Sequence, residues 1–445
     1  MVKTHVEESL GANPGDAALN PADSVAMGVQ SAAAPRFLVS QRGRAFRALV
    51  HRPFRLLFIS FLVSQTGFWI SHISLQGLTV ELTRNDPFQL GLLFFALFIP
   101  AFILAPLAGV AADRWDRKRI MLVCYAAVAL VMTVLTILAA QNVVTPGMVL
   151  TLAFLLGTAF AFSGPASFAV AANAVPILDL PSAISLQSAA NNLTRIFGPA
   201  LAAPLVAASR FEWAFAFFLL ATLVAAGLTA RMEIAPYFPE LEEGGIFARL
   251  RAGLVHARER RPALPALLTV AALSLFGVAH VAVLPVYAER VLGDPALFAW
   301  IVAASGVGAM IGAIATGYER QATLRGSAVR MLCYGVCLGV FAVSERADVA
   351  LAAQVGVGYF YFAVMTSLQT LIQQIVAEGK RGRVMSLFQV AWAGLVPFGG
   401  LGMGVATHSF GVTAALLGSA TIVVASAGVV ILGAPRWSRA PTQSD

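Results

Sequence analysis

Eleven residues, Gly109-Val-Ala-Ala-Asp113-Arg114-Trp-Asp116-Arg117-Lys118-Arg119, stand between two long apolar runs, 89–108 and 120–140. The segment carries two acids and four bases. Each flanking run is near the ~20 residues that a helix needs to cross a bilayer. A charged connection this short forces the two helices into a tight hairpin with its turn in water. Clustered Lys and Arg keep such a turn on the cytoplasmic side. The feature thus implies helical spans, antiparallel neighbours and an orientation.

The rest of the chain repeats this character. Twelve apolar runs can be bounded at 56–80, 89–112, 119–140, 147–171, 183–208, 212–231, 264–288, 296–318, 328–344, 349–373, 384–407 and 411–433. The ninth is the shortest. Only 12% of residues are charged, against about 25% in soluble domains. The reading is an all-α membrane protein of twelve transmembrane helices, with the lipid bilayer as its solvent. The net charge of +8 does not point to nucleic acid, because the bases sit at the ends of apolar runs and report topology. With both termini inside, cytoplasmic segments hold 25 of the 30 Lys and Arg. Arg84, Arg210, Arg290 and Arg346 fall outside, and Arg195 lies within a span. Cys124, Cys333 and Cys337 lie in apolar runs and imply neither a disulfide framework nor a metal site.

Residues 1–50 form a cytoplasmic tail with no apolar core for a signal peptide. Its first 35 residues read as disordered, and 36–55 as a basic segment at the membrane surface. Residues 51–231 make one six-helix half and 264–433 the other, with a short tail at 434–445. Between the halves, 232–263 contains Ile246–Arg261, whose pattern predicts a basic amphipathic helix on the inner leaflet. The halves repeat. His72, Glu81 and Asp86-Pro87 recur as His280, Glu289 and Asp294-Pro295 at an offset of 208. Ser185-Leu186 and Phe197-Gly198 recur as Ser386-Leu387 and Phe398-Gly399 at 201, and Asp113-Arg114 as Glu319-Arg320 at 206. Three separated matches near one offset predict duplicated, pseudo-symmetric halves.

The charged loop, in its Gly-x-x-x-Asp-Arg-x-x-Arg-Lys-Arg form, resembles the signature loop of the major facilitator superfamily. Ser64-Gln65-Thr66-Gly67-Phe68-Trp69, Asn191-Asn192-Leu193-Thr194-Arg195-Ile196-Phe197-Gly198-Pro199 and Arg381-Gly382-Arg383-Val384-Met385-Ser386-Leu387 resemble its secretion-effector branch. That branch includes bacterial enterobactin and macrolide exporters. The resemblance spans about 52–430. It implies proton-driven efflux of a small organic molecule across the bacterial inner membrane by a monomer without a cofactor. The same fold also serves uptake, possible here for an organic anion.

Arg195 is the sharpest single residue. It sits near mid-bilayer, where a cation costs at least about 2.5 kcal/mol and must face a cavity or a partner. No carboxylate lies at that depth in the sequence, so its partners are helix carbonyls, Asn191, Asn192 or an anionic substrate. His72 and His280 read either as packed hydrogen-bonding residues or as proton carriers, since histidine titrates near neutrality. Glu81 and Glu289 are competing proton sites. Gln65, Phe68, Gln76, Gln369 and Trp392 are further lining candidates beside the histidines. For gating, Gly109 suggests close helix approach. Asp113 is read as capping the third span or facing the eleventh near Arg383, and Arg117 as reaching Asp179, while Arg114 belongs to the same loop. Gly198-Pro199 resembles part of the antiporter motif of drug exporters, and Pro199 removes a backbone donor. Span four lacks the intramembrane Arg that many proton antiporters of the superfamily carry. An enzyme is not indicated: the chain has no His-Glu-x-x-His, no Gly-x-Ser-x-Gly and no phosphate loop.

Overall fold

The computed structural model describes residues 46–233, 254–258, 262–317, 322–376 and 378–437. All regular structure among them is helical. The first half contributes α1 (Arg52–Thr83), α2 (Pro87–Arg114), α3 (Arg117–Ala140), α4 (Pro146–Asn173), α5 (Leu180–Ala207) and α6 (Phe211–Ala230). The second contributes α7 (Ala263–Arg290), α8 (Leu297–Gly317), α9 (Leu324–Ala342), α10 (Ala347–Ile375), α11 (Glu378–Phe410) and α12 (Val412–Trp437). The helix starts follow ordinary capping rules. Asp86 accepts from Phe88 N at 3.0 Å ahead of Pro87, Thr145 from Met148 N ahead of Pro146, and Thr323 from Gly326 N. Each such cap satisfies a backbone donor that the helix leaves orphaned, worth about 1 kcal/mol.

Eleven of these helices are long and apolar enough to cross a membrane; α5 is the exception. It has 28 residues, so length is not the reason. Its middle reads Gln187-Ser-Ala-Ala-Asn-Asn-Leu-Thr-Arg195. A helix this polar is stable in the bundle only with its polar face against protein or water.

Two apolar cores hold the bundle. One is built from Ala48 to Met232. The other runs mainly from Ala257 to Val430, and Ile70, Ile73, Leu90, Ala202, Ala203 and Ala214 of the first half reach into it. The halves touch along α5 with α8 and α2 with α11. Gly91 and Gly404 permit the second crossing: a Cβ on Gly91 would stand 2.9 Å from Gly404 Cα. At the α1–α2 end, Asn85 Nδ2 donates to Glu289 at 2.5 Å, and Arg290 Nη2 donates to the Asn85 carbonyl at 2.7 Å. Asn85 has φ of 60°, a left-handed conformation that asparagine adopts more readily than most residues. His408 Nδ1 lies 3.3 Å from Asp86. The halves are therefore fastened at the end opposite the charged loop.

Two spans are not continuous α-helices. In α7, Ala263–Ala272 is α, Leu273–Gly277 is π, Val278–Val283 is 3₁₀ and Leu284–Arg290 is α again. In α11, a π segment, Val390–Gly394, separates Glu378–Gln389 from Val396–Phe410. The causes in α7 are partly local and partly contacts from α11 and α12. Pro285 removes one backbone donor. Ser419 Oγ of α12 donates to the Phe276 carbonyl, and His280 Nδ1 lies 2.8 Å from the Gly277 carbonyl. Gly399 of α11 presses on α7 so closely that a Cβ would collide with the Leu275 carbonyl.

Of the connection between the halves, residues 254–258 are helical, with His256 and Ala257 buried and Val255 and Arg258 exposed. The rest of the expected amphipathic helix lies outside the described residues. So do the first 45 residues and the Glu319-Arg320 echo.

Candidate functional site

Arg195 stands 15 residues from the start of α5 and 12 from its end, roughly 22 and 18 Å along the axis at 1.5 Å per residue. Its Cζ lies 5.4 Å from the centroid of the Trp69 ring on α1 and 5.0 Å from that of Phe362 on α10. One cation thus touches an aromatic from each half. Desolvated cation–π contacts contribute up to about 2 kcal/mol each. Two of them are comparable to the ~2.5–3.5 kcal/mol insertion cost of a mid-membrane Arg. This explains why the residue is tolerated with no carboxylate beside it. The guanidinium is not saturated: its Nε is buried without a hydrogen-bond partner among the described residues. The indole Nε1 of Trp69 is in the same condition. Gly198, one turn along α5, sets the pairing, because any Cβ there would run into the Cβ of Trp69.

The two histidines flank this centre, and the Arg195 charge acts on both. Both are buried, at 5% and 3% exposure, and their settings differ. His72 lies in continuous α-helix, with its Nε2 3.0 Å from Gln76 Nε2. Its ring stacks on Phe68 at 5.7 Å and meets the edges of Trp69 and Phe98. His280 lies in the 3₁₀ segment of α7, with Tyr334 Oη 3.5 Å from its Nδ1 and its Nε2 without a partner among the described residues. Tyr361 closes the second half of the site. Its hydroxyl accepts from Trp392 Nε1 at 2.8 Å, its ring lies 6.3 Å from that of Tyr334, and it too feels the Arg195 charge. Trp392 belongs to the π segment of α11, so both irregular spans contribute to one cluster.

Of the other expected lining residues, Gln65 donates to Asn191 Oδ1 at 3.3 Å, joining α1 to α5 on the charged-loop side of Arg195. Asn192 donates to its own helix at Ser188 O, and its Oδ1 is buried without a partner among the described residues. Gln369 is exposed, and no contact joins it to the cluster. Glu81 and Glu289 are exposed at the α1–α2 end, where they accept from Ser209 Oγ and Asn85 Nδ2. Both carboxylates stand apart from the histidines.

The family model described as transmembrane secretion effector matches residues 44–442. The chain belongs to this family. Its fold is that of the major facilitator superfamily, and its relatives are transporters. The Staphyloferrin A transporter of Staphylococcus aureus is 24% identical over 388 residues, covering 83% of this chain and 94% of the relative. Macrolide efflux protein A of Streptococcus pyogenes is 25% identical over 340 residues, covering 74% and 82%. Among solved structures, a POT family transporter in complex with 5-aminolevulinic acid aligns with a TM-score of 0.70 at 9% identity, covering 87% of this chain and 97% of that one. A bacterial homologue of the human lysosomal transporter Spinster, inward-facing and occupied, aligns at 0.62 with 16% identity over 89% and 99%.

At the charged-loop end of the bundle the described contacts centre on Asp116 and Asp179. The residue that caps α3 is Asp116, which accepts from Lys118 N at 2.9 Å; Asp113 is still inside α2. Asp116 wins because it immediately precedes the first helical residue, where an N-cap must stand. Among the described residues, a Cβ on Gly109 meets nothing within 4 Å. Asp179 is engaged by Arg47 Nε at 3.2 Å and His51 Nε2 at 2.8 Å, which ties the segment before α1 to the start of α5. The expected Arg117–Asp179 pair is not among these contacts. Arg114 is exposed, and the side chains of Asp113 and Arg383 lie outside those described. Gly198 and Pro199 sit inside an unbroken α5.

Phe362, Tyr334 and Asn85, and the contacts made by Arg290 and Lys118, are not among the candidates the sequence offers. Lys118 Nζ donates to Ala230 O and Met232 O at 2.8 and 2.7 Å, closing the carbonyl end of α6 where a cation is favoured. The run Tyr359-Phe-Tyr-Phe362 was the available signal for the aromatic partner of Arg195.

Proposed function

We propose that the protein is a secondary active exporter that carries a small organic molecule from the cytoplasm by alternating access, coupled to protons. The observation that carries this reading is the Arg195 contact to Trp69 and Phe362, one aromatic from each half. A ligand that engages Arg195 there competes with both rings, so binding and the relative position of the halves are linked. Positive-inside charge assigns the charged loop to the cytoplasm. The fastened α1–α2 end is then the outer gate, closed in this conformation. His72 and His280 are the proton carriers of this scheme, being buried beside Arg195 and far from the exposed Glu81 and Glu289. The Staphyloferrin A and macrolide efflux relatives support a small-molecule substrate and leave its identity open. Uptake of a small organic anion is the second reading, favoured by the lone central cation.

Comparative metabolite profiling of cells and medium from a deletion strain tests the direction. Export predicts at least one compound retained in the cells and depleted from the medium, restored by the wild-type gene. A compound left unconsumed in the medium supports uptake, and identical profiles overturn both readings.

A further inference from the structure

We infer that the ligand of the central site is an organic carboxylate, bound by the Arg195 guanidinium. This rests on reading the bundle centre as the substrate site. Arg195 Cζ lies over both the Trp69 and the Phe362 rings, so each ring turns its face to the cation. A cation–π contact engages the charge without a conventional N–H acceptor, and the guanidinium fork matches a carboxylate in bidentate geometry. The Nε of Arg195 has no partner among the described residues, and neither has the Nε1–H of the adjoining Trp69. The Tyr361 hydroxyl already accepts from Trp392, so its own proton is free to point at a further acceptor. Three donor groups of this cluster therefore have no charged acceptor among the described residues. Read along the described spans, the sequence places no Asp or Glu near the middle of any helix; Glu81, Glu289 and Asp348 stand at helix ends. A cationic ligand would meet a permanent like charge and no counter-ion. Gln76 Oε1, on the helix of Trp69 and His72, is a neutral acceptor without a partner among the described residues. It gives the carboxylate's hydroxyl or amide neighbours a place to donate.

The test is thermal stabilisation of the purified full-length protein in detergent. The probes are a panel of carboxylates (benzoate, citrate, N-acetylated amino acids and short acetylated peptides), their neutral amides, and amines of matched size. The inference expects stabilisation by members of the carboxylate set, none by the matched amides or amines, and apparent affinity at least tenfold weaker in Arg195→Gln. Arg195→Lys, which keeps the charge and loses the fork, should bind with intermediate affinity and guards against a folding defect. Stabilisation by amines or amides with none from any carboxylate overturns the inference. So does equal carboxylate binding by Arg195→Gln. Carboxylate binding without any transport in vesicles would uphold the ligand class and reject the exporter reading. Transport of a cation or a neutral compound, with no carboxylate bound, would do the reverse.

Discussion

α1 and α7 occupy equivalent places in the two halves and carry the same histidine, yet their backbones differ. α1 is one α-helix of 32 residues, and α7 changes helical type three times. The equivalent helices α5 and α11 meet them through equivalent glycines: Gly198 abuts Trp69 of α1, and Gly399 abuts Leu275 of α7. The difference lies in what stands at matched positions. Where α1 has Trp69 and Gly77, α7 has Gly277 and Pro285. The tryptophan fills the space beside Arg195 and leaves the ladder of α1 intact. The glycine and proline interrupt the regular ladder of α7, in which the Phe276 and Gly277 carbonyls meet Ser419 Oγ and His280 Nδ1. One half supplies the rigid wall of the site and the other an irregular wall, of the kind often found at functional sites.

The largest test of this contrast makes α1 resemble α7. Gly77→Pro should destabilise the protein by about 3 kcal/mol or more, read as a lowered unfolding midpoint or lost folded yield in detergent. Unchanged stability would mean that proline is not what separates the two spans. Next, Gly399→Val should cost about 2 kcal/mol through overpacking against the Leu275 carbonyl. Gly402→Val on the same helix is the control, because a Cβ there meets nothing within 4 Å, and it should shift the midpoint little. The paired histidines come third. His72→Ala with His280→Ala should reduce gradient-driven uptake into inverted vesicles about tenfold, equivalent to ~1.4 kcal/mol, and flatten its pH dependence. An unaltered pH profile would assign both rings to packing. The smallest effect belongs to Ser419→Ala, which removes the bond to the Phe276 carbonyl and should cost about 1 kcal/mol.

Much of the fold could be read directly from the residues. Apolar runs of bilayer length located the spans, and the 208-residue offset between His72 and His280 disclosed the duplication. Arg195 stood out because a mid-membrane cation is costly. The register changes in α7 and α11 were not legible, since hydropathy counts apolar side chains and does not see which carbonyls are bonded. Pro285 was a visible hint; the contacts from Ser419 and Gly399 come from helices more than 100 residues away. The sequence offers Asp113 either as the cap of the third span or as facing the eleventh; the cap of α3 is Asp116, one turn further on. The fastening at Asn85 depends on a left-handed turn residue that no periodicity marks. The aromatic partners of Arg195 come from two different helices, so the pairing itself exists only in the folded bundle.

We propose that Arg195, with its Cζ over the Trp69 and Phe362 rings, is where substrate is carried. The most direct measurement is transport by Arg195→Ala in inverted vesicles, using the compound identified from the deletion strain and matching the amount of inserted protein to wild type. The account predicts that uptake falls at least a hundredfold while insertion is retained. Wild-type rates in this variant would contradict it.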